Sequence, residues 1–275
     1  MLSYQHGYHA GNFADVLKHT TLTLLLKHLT QKDKPLLYLE THSGRGVYDL
    51  KDKQALKTGE ASAGIELLWK ARDQLPPVFS LYLDSIRQIN EKNSLRNYPG
   101  SPLLAIHALR QQDRLFCCEL HPGEYEHLSR LSRQGKRVFF SETNGLEQLA
   151  ALLPPPERRG LVFIDPSFEI KTDYRQIPTL LKSAYQRFAT GTYCIWYPLV
   201  DNKLHDQLLR GLTDIGAERT LRMEFYLTGA GHAGMTGCGL WIINPPYKLD
   251  EEVKIVLDSL RKLFNPGVSS YILEN

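Results

Sequence analysis

The chain has 275 residues, of which 42% are hydrophobic and 23% are charged. This is enough for one large globular domain, or for a domain with an insertion. No apolar run reaches the length of a membrane span, and the first residues lack the basic-then-apolar pattern of a secretion signal, so we expect a cytoplasmic protein. The net charge of +3 permits a polyanionic partner without requiring one, and the four cysteines predict neither a disulfide framework nor a zinc site.

A helix is predicted over residues 11–30, near the beginning of the chain. Asn12 is a residue type that caps helices, and Phe13, Val16 and Leu17 follow it at helical spacing. The second half of this segment is apolar on all sides, which predicts that the helix is buried.

Short apolar segments that follow are predicted as strands. They lie at 36–39, 115–119, 138–140, 161–164, 193–196 and 240–243. Helical patterns separate most of them, for example at 124–133 and 174–188, and a last helix is predicted at 251–263. Buried strands that alternate with helices indicate an α/β fold with a mainly parallel sheet and helices on both faces.

The interval between the first two strands is about seventy residues long, far more than one crossover helix requires. We interpret residues 50–95 as a helical insertion into a main domain formed by 1–49 and 96–275. Ser101 and Pro102 then restart the main domain as an N-cap and a first-turn proline. The insertion has apolar residues for a small core: Ile65, Leu68, Trp69 and Tyr82. Such an insertion either carries substrate specificity or has no role in the chemistry, and the sequence leaves both readings open.

The first strand and the second strand both end in residues suited to a nucleotide. His42 leaves the first strand, and Gly44 and Gly46 allow the backbone to approach a ligand closely. Glu119 ends the second strand, and a carboxylate there has two oxygens that can accept from both hydroxyls of a ribose. Together these features favour a cofactor that contains adenosine.

The fourth predicted strand ends in Asp165-Pro166-Ser167-Phe168, which is a grouping that amino methyltransferases need. The amine of adenine is a poor nucleophile because its lone pair is delocalised into the ring. The carboxylate of Asp165 and the carbonyl of Pro166 can accept from its two N–H groups and localise that lone pair. Phe168 offers a face on which an extracted base can stack.

A second tetrapeptide, Asn244-Pro245-Pro246-Tyr247, matches the amino-methyltransferase pattern better by letter. It follows the segment 240–243, which we count as the last strand, whereas the catalytic tetrapeptide normally follows the fourth. We therefore favour Asp165 over Asn244.

At these residues the sequence resembles the RlmJ family, bacterial methyltransferases that act on the N6 amine of an adenine in 23S ribosomal RNA. The resemblance covers nearly the whole chain. Its segments are MLSYQHGYHAGNFADVLKH, YLETHSGRG, YPGSP, CCELHP, RRGLVFIDPSFEIKTDY, RFATGTYCIWYP and INPPYKL. The main domain would then have the Rossmann-like fold of methyltransferases that use S-adenosylmethionine.

The resemblance implies which residues form the site. Cofactor contacts are expected at His19, His42, Ser101, Glu119, Asn144, Gly145 and Asp165. Asp165 is expected to be catalytic and Tyr4 to face the RNA, with Lys18 as a further contact. The chain departs from the family's usual pattern at two points, because Asn144 stands where aspartate is usual and the tetrapeptide is DPSF in place of DPPY.

Other functions remain open on the sequence alone. A DNA adenine methyltransferase would use the same tetrapeptide, and a catalytically silent nucleic-acid-binding protein could keep the fold. A nicotinamide oxidoreductase would leave the tetrapeptide unexplained. His6, His9 and His19 lack an accompanying carboxylate or cysteine cluster in the sequence, so no metal site is predicted. The expected partner is 23S ribosomal RNA, in deproteinised form or in an early assembly intermediate.

Overall fold

The computed structural model describes residues 4–131, 137–200, 203–227 and 235–275. The strands in these ranges are β1 (Leu37–Glu40), β2 (Val47–Asp49), β3 (Asn97–Pro99), β4 (Arg114–Cys118), β5 (Val138–Ser141), β6 (Gly160–Ile164), β7 (Thr192–Val200), β8 (Thr220–Tyr226), β9 (Met235–Ile243) and β10 (Ser270–Glu274). The α-helices are α1 (Phe13–Thr30), α2 (Lys53–Thr58), α3 (Ile65–Ala71), α4 (Ser80–Gln88), α5 (Ser101–Ala108), α6 (Pro122–Ser129), α7 (Gly145–Leu152), α8 (Asp173–Arg187), α9 (Leu204–Thr213) and α10 (Leu249–Leu263). Short 3-10 helices lie at His6–Tyr8, Glu60–Ala63, Arg72–Gln74 and Pro77–Phe79.

The main sheet has the order β10-β8-β9-β7-β6-β1-β4-β5 in the described part of the chain. The five strands from β7 to β5 run parallel, and β9, β8 and β10 extend the sheet with antiparallel pairs. The predicted α/β class with a mainly parallel sheet and a Rossmann-like arrangement is therefore confirmed. The expectation that 240–243 forms the last strand was wrong, because β9 is followed by α10 and by the edge strand β10.

Helix α1 begins where the sequence predicted. The side chain of Asn12 accepts a hydrogen bond from the backbone N–H of Asp15 at 2.9 Å, which satisfies a donor that the first helical turn leaves free. Leu22, Leu24 and Leu25 are buried, as the apolar second half of the segment predicted. The helix is enclosed because α4, α5 and α10 pack around it. Across the ranges that the structure describes, no helix is both long and apolar enough to cross a membrane.

The interval 50–95 contains α2, α3 and α4, between the paired short strands β2 and β3. Its apolar residues are buried in the same hydrophobic cluster as α1, so they extend the main core and do not form a separate one. The division at residues 50 and 95 stays a prediction.

Two helix ends differ from the sequence expectations. Gly100, and not Ser101, is the N-cap of α5, because the hydroxyl of Ser101 donates to the buried carboxylate of Glu40 and does not cap the helix. Helix α6 ends at Ser129, and the end of the predicted segment 124–133 falls on residues outside the described ranges.

Candidate functional site

A cavity lies at the edge of the sheet where β1, β4 and β6 end. Because parallel strands bring their carboxyl ends to one edge, residues that are far apart in sequence meet here. All the predicted site residues except Phe168 line this cavity: Tyr4, His19, His42, Ser101, Glu119, Asn144, Gly145, Asp165 and Pro166. We call it the first cavity.

Glu119 is held rigidly at one end of the first cavity. One of its carboxylate oxygens accepts from the backbone N–H of Gly44 at 2.7 Å, and the other accepts from the N–H of His121 at 2.8 Å. Gly44 has a φ of 60°, a left-handed conformation that favours glycine. Burial raises the pKa of Glu119 above its usual value, although the two backbone donors oppose this shift. Each oxygen retains a lone pair, so the carboxylate can still accept from a diol.

The turn before α7 forms the wall next to Glu119. The side chain of Asn144 caps α7 by accepting from the N–H of Leu146 at 3.1 Å, and it also donates to Glu147 at 2.9 Å. A Cβ on Gly145 would collide with the backbone of Thr41, which lies at the end of β1. The close approach of these two turns therefore requires glycine at position 145.

Two histidines in the first cavity lie in surroundings that favour the neutral imidazole. Burial lowers the pKa of His19 to about 3 and that of His42 to about 4. His19 Nδ1 lies 2.6 Å from the hydroxyl of Tyr98, and that hydroxyl lies 2.9 Å from the hydroxyl of Tyr82 on α4. A neutral imidazole can both donate and accept, so these groups suit a polar ligand without adding charge.

Beneath the cavity floor lies Glu40, a fully buried acid that the sequence analysis did not single out. Its carboxylate accepts from the hydroxyl of Ser101 and from that of Tyr38, the latter at 2.9 Å. Burial raises the pKa of Glu40 to about 8, although both hydrogen bonds oppose the shift. Glu40 thus fixes the position of Ser101 in the cavity wall.

Asp165 lies at the other end of the first cavity and is paired with a buried lysine. Lys18 Nζ donates to Asp165 Oδ2 at 2.7 Å and lies 2.9 Å from Asp15 Oδ1. Burial opposes the charged form of Lys18, but the two carboxylates outweigh it and raise the pKa of the lysine. The chain of contacts continues from Asp15 to His6 Nε2 at 2.9 Å, and from His6 Nδ1 to the hydroxyl of Tyr4 at 2.8 Å.

A second cavity meets the first at Asp165. The two share Tyr4, His6, Lys18, Asp165, Pro166 and Ser167. Phe168 lines the second cavity and is only 7% exposed, because its ring centroid lies 4.4 Å from that of Tyr174. Its predicted role as a stacking face stays a prediction.

The rival residue Asn244 lies at the opposite edge of the sheet. It follows the end of β9, which is antiparallel to β7, and so it stands beside the beginning of β7. Its side-chain amide donates to the carbonyls of Ala189 at 2.7 Å and Gly191 at 2.8 Å. These contacts hold the loop before β7, a structural task remote from both cavities.

Sequence reasoning missed Asp15, Glu40 and Trp196, and it named Lys18 only through the resemblance. Two signals in the sequence could have found these acids. Asp15 and Lys18 lie on one face of α1 at a spacing of three residues, and Glu40 ends the first apolar strand. Trp196 was included only as a strand residue, although its side chain lines the second cavity.

Comparison with known proteins identifies a protein family that matches most of the chain. Residues 33–274 match the family model described as RsmJ, "Ribosomal RNA large subunit methyltransferase D, RlmJ". The chain is 42% identical over 268 residues to ribosomal RNA large subunit methyltransferase J of Escherichia coli (strain K12), with 97% of this chain and 95% of that protein covered. It is 43% identical over 277 residues to the protein of the same name in Haemophilus influenzae (strain ATCC 51907 / DSM 11121 / KW20 / Rd), with 100% and 98% covered.

Among solved structures, the crystal structure of protein LPL1258 from Legionella pneumophila str. Philadelphia 1 is similar throughout. Its sequence is 54% identical and its TM-score is 0.93, with 97% of this chain and 98% of that chain covered. The fold described above therefore matches an experimentally solved relative over nearly its full length.

Proposed function

Because the chain belongs to the RlmJ family of ribosomal RNA large subunit methyltransferases, we propose that it transfers a methyl group from S-adenosylmethionine to the N6 amine of an adenine in 23S ribosomal RNA. The main observation that supports this proposal is the position of Asp165. Its carboxylate stands at the junction of two cavities, one suited to the cofactor and one open to a base.

The first cavity fits S-adenosylmethionine by the chemistry of its lining. Glu119 would accept from the ribose hydroxyls, and Asn144 and Gly145 would lie beside the adenosine. His19, His42 and Ser101 are neutral polar groups suited to the methionine portion, which carries both charges of an amino acid. When bound, the cofactor would supply an electrophilic methyl group, and the electron pair of the broken carbon–sulfur bond would stay on its sulfur.

At the junction, Asp165 and the carbonyl of Pro166 would accept from the two N–H groups of the adenine amine. This orients the amine and returns its lone pair to nitrogen, where it can form the new bond to carbon. Lys18 donates to Asp165 Oδ2 at 2.7 Å and so fixes the position of the carboxylate at the junction. The amine loses one proton after the transfer, and the carboxylate that already accepts its hydrogen bond is placed to receive it.

An adenine inside a helix cannot reach this junction, so the base must be unpaired or turned out of its stack. RNA loops offer such adenines at low cost. Tyr4 lines both cavities, and its ring stacks on that of His9 at a centroid distance of 5.6 Å. This N-terminal segment is therefore placed to contact the RNA around the target base.

The test is to incubate the purified protein with labelled S-adenosylmethionine and deproteinised 23S ribosomal RNA from a strain that lacks the gene. Nucleoside analysis should find N6-methyladenosine at a single position. Duplex DNA and 23S RNA from the parent strain serve as controls and should stay unlabelled. Labelling of the DNA with none in the RNA would overturn the RNA assignment, and label on another atom would overturn the N6 assignment.

A further inference from the structure

A chain of three buried polar groups connects the interval 50–95 with the first cavity. Tyr82 lies on α4 within that interval, Tyr98 lies on β3, and His19 lies on α1. The hydroxyls of the two tyrosines are 2.9 Å apart, and that of Tyr98 lies 2.6 Å from His19 Nδ1. Both tyrosines are fully buried and His19 is nearly so. The chain ends at the imidazole, which lines the first cavity.

The direction of these hydrogen bonds follows from a count of donors. Two hydroxyl hydrogens and one ring N–H are available, and within the described ranges the hydroxyl of Tyr82 has no partner other than Tyr98. If Tyr82 donates to Tyr98 and Tyr98 donates to Nδ1 of His19, both hydroxyl hydrogens are used and the ring hydrogen stands on Nε2. Every other arrangement leaves a buried O–H without an acceptor or sets two lone pairs against each other, which is costly. The count therefore selects the Nε2–H tautomer.

The two tyrosines also fix the orientation of the imidazole. The centroid of the His19 ring lies 5.5 Å from that of Tyr98 and 6.4 Å from that of Tyr82, so both rings pack against it. Because Nδ1 is engaged by Tyr98, Nε2 is the ring nitrogen left for a ligand in the first cavity. Burial lowers the pKa of His19 to about 3, which favours a ring with a single N–H. His19 thus offers one donor to the cavity and no acceptor.

We propose that Tyr82 and Tyr98 are positioning residues for the cofactor, which hold His19 so that its Nε2–H donates to the carboxylate of the methionine portion. This inference rests on the proposed function and deepens it. The methionine portion has one charged group that only accepts, the carboxylate, and one that only donates, the ammonium. A ring nitrogen that carries hydrogen can pair only with the carboxylate, so the tautomer decides which of the two groups His19 binds.

The interval 50–95 then has a task in cofactor binding, a point that the sequence left open. Helix α4 packs against α1 and β3, and its Tyr82 supplies the hydroxyl at which the chain of hydrogen bonds begins. Without that hydroxyl, Tyr98 would keep its contact with His19 but would lose the donor that directs its own hydrogen towards Nδ1. We therefore expect a smaller effect from the loss of the Tyr82 hydroxyl than from the loss of the Tyr98 hydroxyl.

The tautomer can be read from the free protein by nuclear magnetic resonance. The ten histidines are labelled with ¹⁵N, and their ring signals are recorded at neutral pH through long-range ¹H–¹⁵N correlations. The ring signals that disappear in His19→Gln belong to His19. We expect hydrogen on Nε2 and none on Nδ1 in the wild type. In Tyr98→Phe the Nδ1 shift should move, because that nitrogen no longer accepts a hydrogen bond.

The binding test compares S-adenosylmethionine with its decarboxylated form, which lacks only the carboxylate. Calorimetry should show that the wild type binds the decarboxylated form roughly tenfold or more weakly, because a charge-assisted hydrogen bond is lost. In Tyr98→Phe the ratio of the two affinities should shrink by at least about threefold, since the imidazole is then free to turn. Tyr82→Phe should shrink this ratio in the same direction but by less.

The matched control is Tyr193→Phe. Tyr193 is also fully buried, and its hydroxyl donates to the carbonyl of Phe188 at 2.9 Å, in a hydrophobic cluster that does not contain Tyr82 or Tyr98. This variant should keep the wild-type ratio of affinities, and a thermal melt of each variant checks that it is folded. If Tyr98→Phe does not fold, the tautomer of the wild type and the ratio in Tyr82→Phe decide the question.

Two results would overturn the assignment. One is hydrogen on Nδ1 of His19 in the wild type, and the other is a Tyr98→Phe variant that keeps the wild-type ratio of affinities. An equal loss of affinity for both forms of the cofactor belongs to the second case, because the hydroxyl would then only support the fold. Either result leaves the proposed function standing as long as the wild type forms N6-methyladenosine in RNA. Absence of that product from the wild-type reaction would instead refute the proposed function.

Discussion

Two tetrapeptides of the same type end two strands of one sheet, yet they stand in opposite surroundings. Asp165-Pro166-Ser167-Phe168 follows β6 at the edge where the parallel strands end, and Asp165 joins two cavities there. Asn244-Pro245-Pro246-Tyr247 follows β9, which runs antiparallel to β7, so it lies at the other edge. Asn244 uses its amide to hold two loop carbonyls, and Tyr247 is 79% exposed.

The comparison shows that strand direction, and not the letters of the motif, sets which copy lies beside the cavities. By sequence, the second copy is the better match to an amino-methyltransferase tetrapeptide. However, ligands of an open α/β sheet bind beyond the carboxyl ends of its parallel strands, and only the first copy lies there. The predictions below test this difference between the two edges.

The largest effect is expected at Asp165. We predict that Asp165→Ala lowers the single-turnover rate of methyl transfer by at least about a hundredfold, because the amine loses a preorganised charged acceptor. Asn244→Ala is the matched control and should retain most of the activity. A thermal melt of both variants checks that each is folded. Loss of transfer in the Asn244 variant with retention in the Asp165 variant would place the chemistry at the other edge.

A smaller effect is expected at the cofactor end of the first cavity. Glu119→Gln keeps the shape of the side chain but replaces one charged oxygen with a donor. We expect the affinity for S-adenosylmethionine to fall roughly tenfold to a hundredfold, since a hydrogen bond to a charged group contributes about 1.5–3 kcal/mol. Calorimetric titration measures this directly, and an unchanged affinity would remove Glu119 from the site.

At the opposite edge the expected effect is on stability. Asn244→Ala removes two hydrogen bonds and places alanine at a φ of 52°, a left-handed conformation that asparagine tolerates better. We expect the free energy of unfolding to fall by about 1–2 kcal/mol, as measured by urea denaturation. A variant as stable as the wild type would show that the amide has no structural task.

The smallest effect concerns the departure of the first tetrapeptide from DPPY. If serine at position 167 makes the backbone after Pro166 less rigid than proline would, Ser167→Pro should preserve or raise the rate of methyl transfer. A compatible proline should also raise stability by about 0.4–1 kcal/mol through the unfolded state. A large fall in rate, measured under single-turnover conditions, would mean that the local backbone requires serine.

The features that could be predicted from the sequence are those that local residue patterns encode. Helix α1 follows from its cap and its spacing, and the strands of the parallel core follow from short apolar runs. Strand β8 (Thr220–Tyr226) was missed because it alternates polar and apolar residues beside an antiparallel neighbour, and the edge strand β10 is only partly buried.

The candidate site shows the same limit, because only residues that a local pattern marks could be predicted. Gly44, Glu119 and Asp165 could be found because each lies at the end of a predicted strand or shortly after it. The pairing of Lys18 with Asp165 joins residues 147 positions apart, and no local pattern encodes such a contact. Trp196 was hidden for a related reason, since its exposure in a cavity depends on how β7 extends past β6.

The central claim is that the chemistry takes place at the edge of the sheet where Asp165 lies. A crystal structure of this protein with S-adenosylhomocysteine bound would test it most directly. The account predicts ribose hydroxyls within hydrogen-bond distance of the Glu119 carboxylate, with the sulfur facing Asp165 across the junction of the two cavities. A ligand bound beside Asn244, or a ribose that does not contact Glu119, would contradict it.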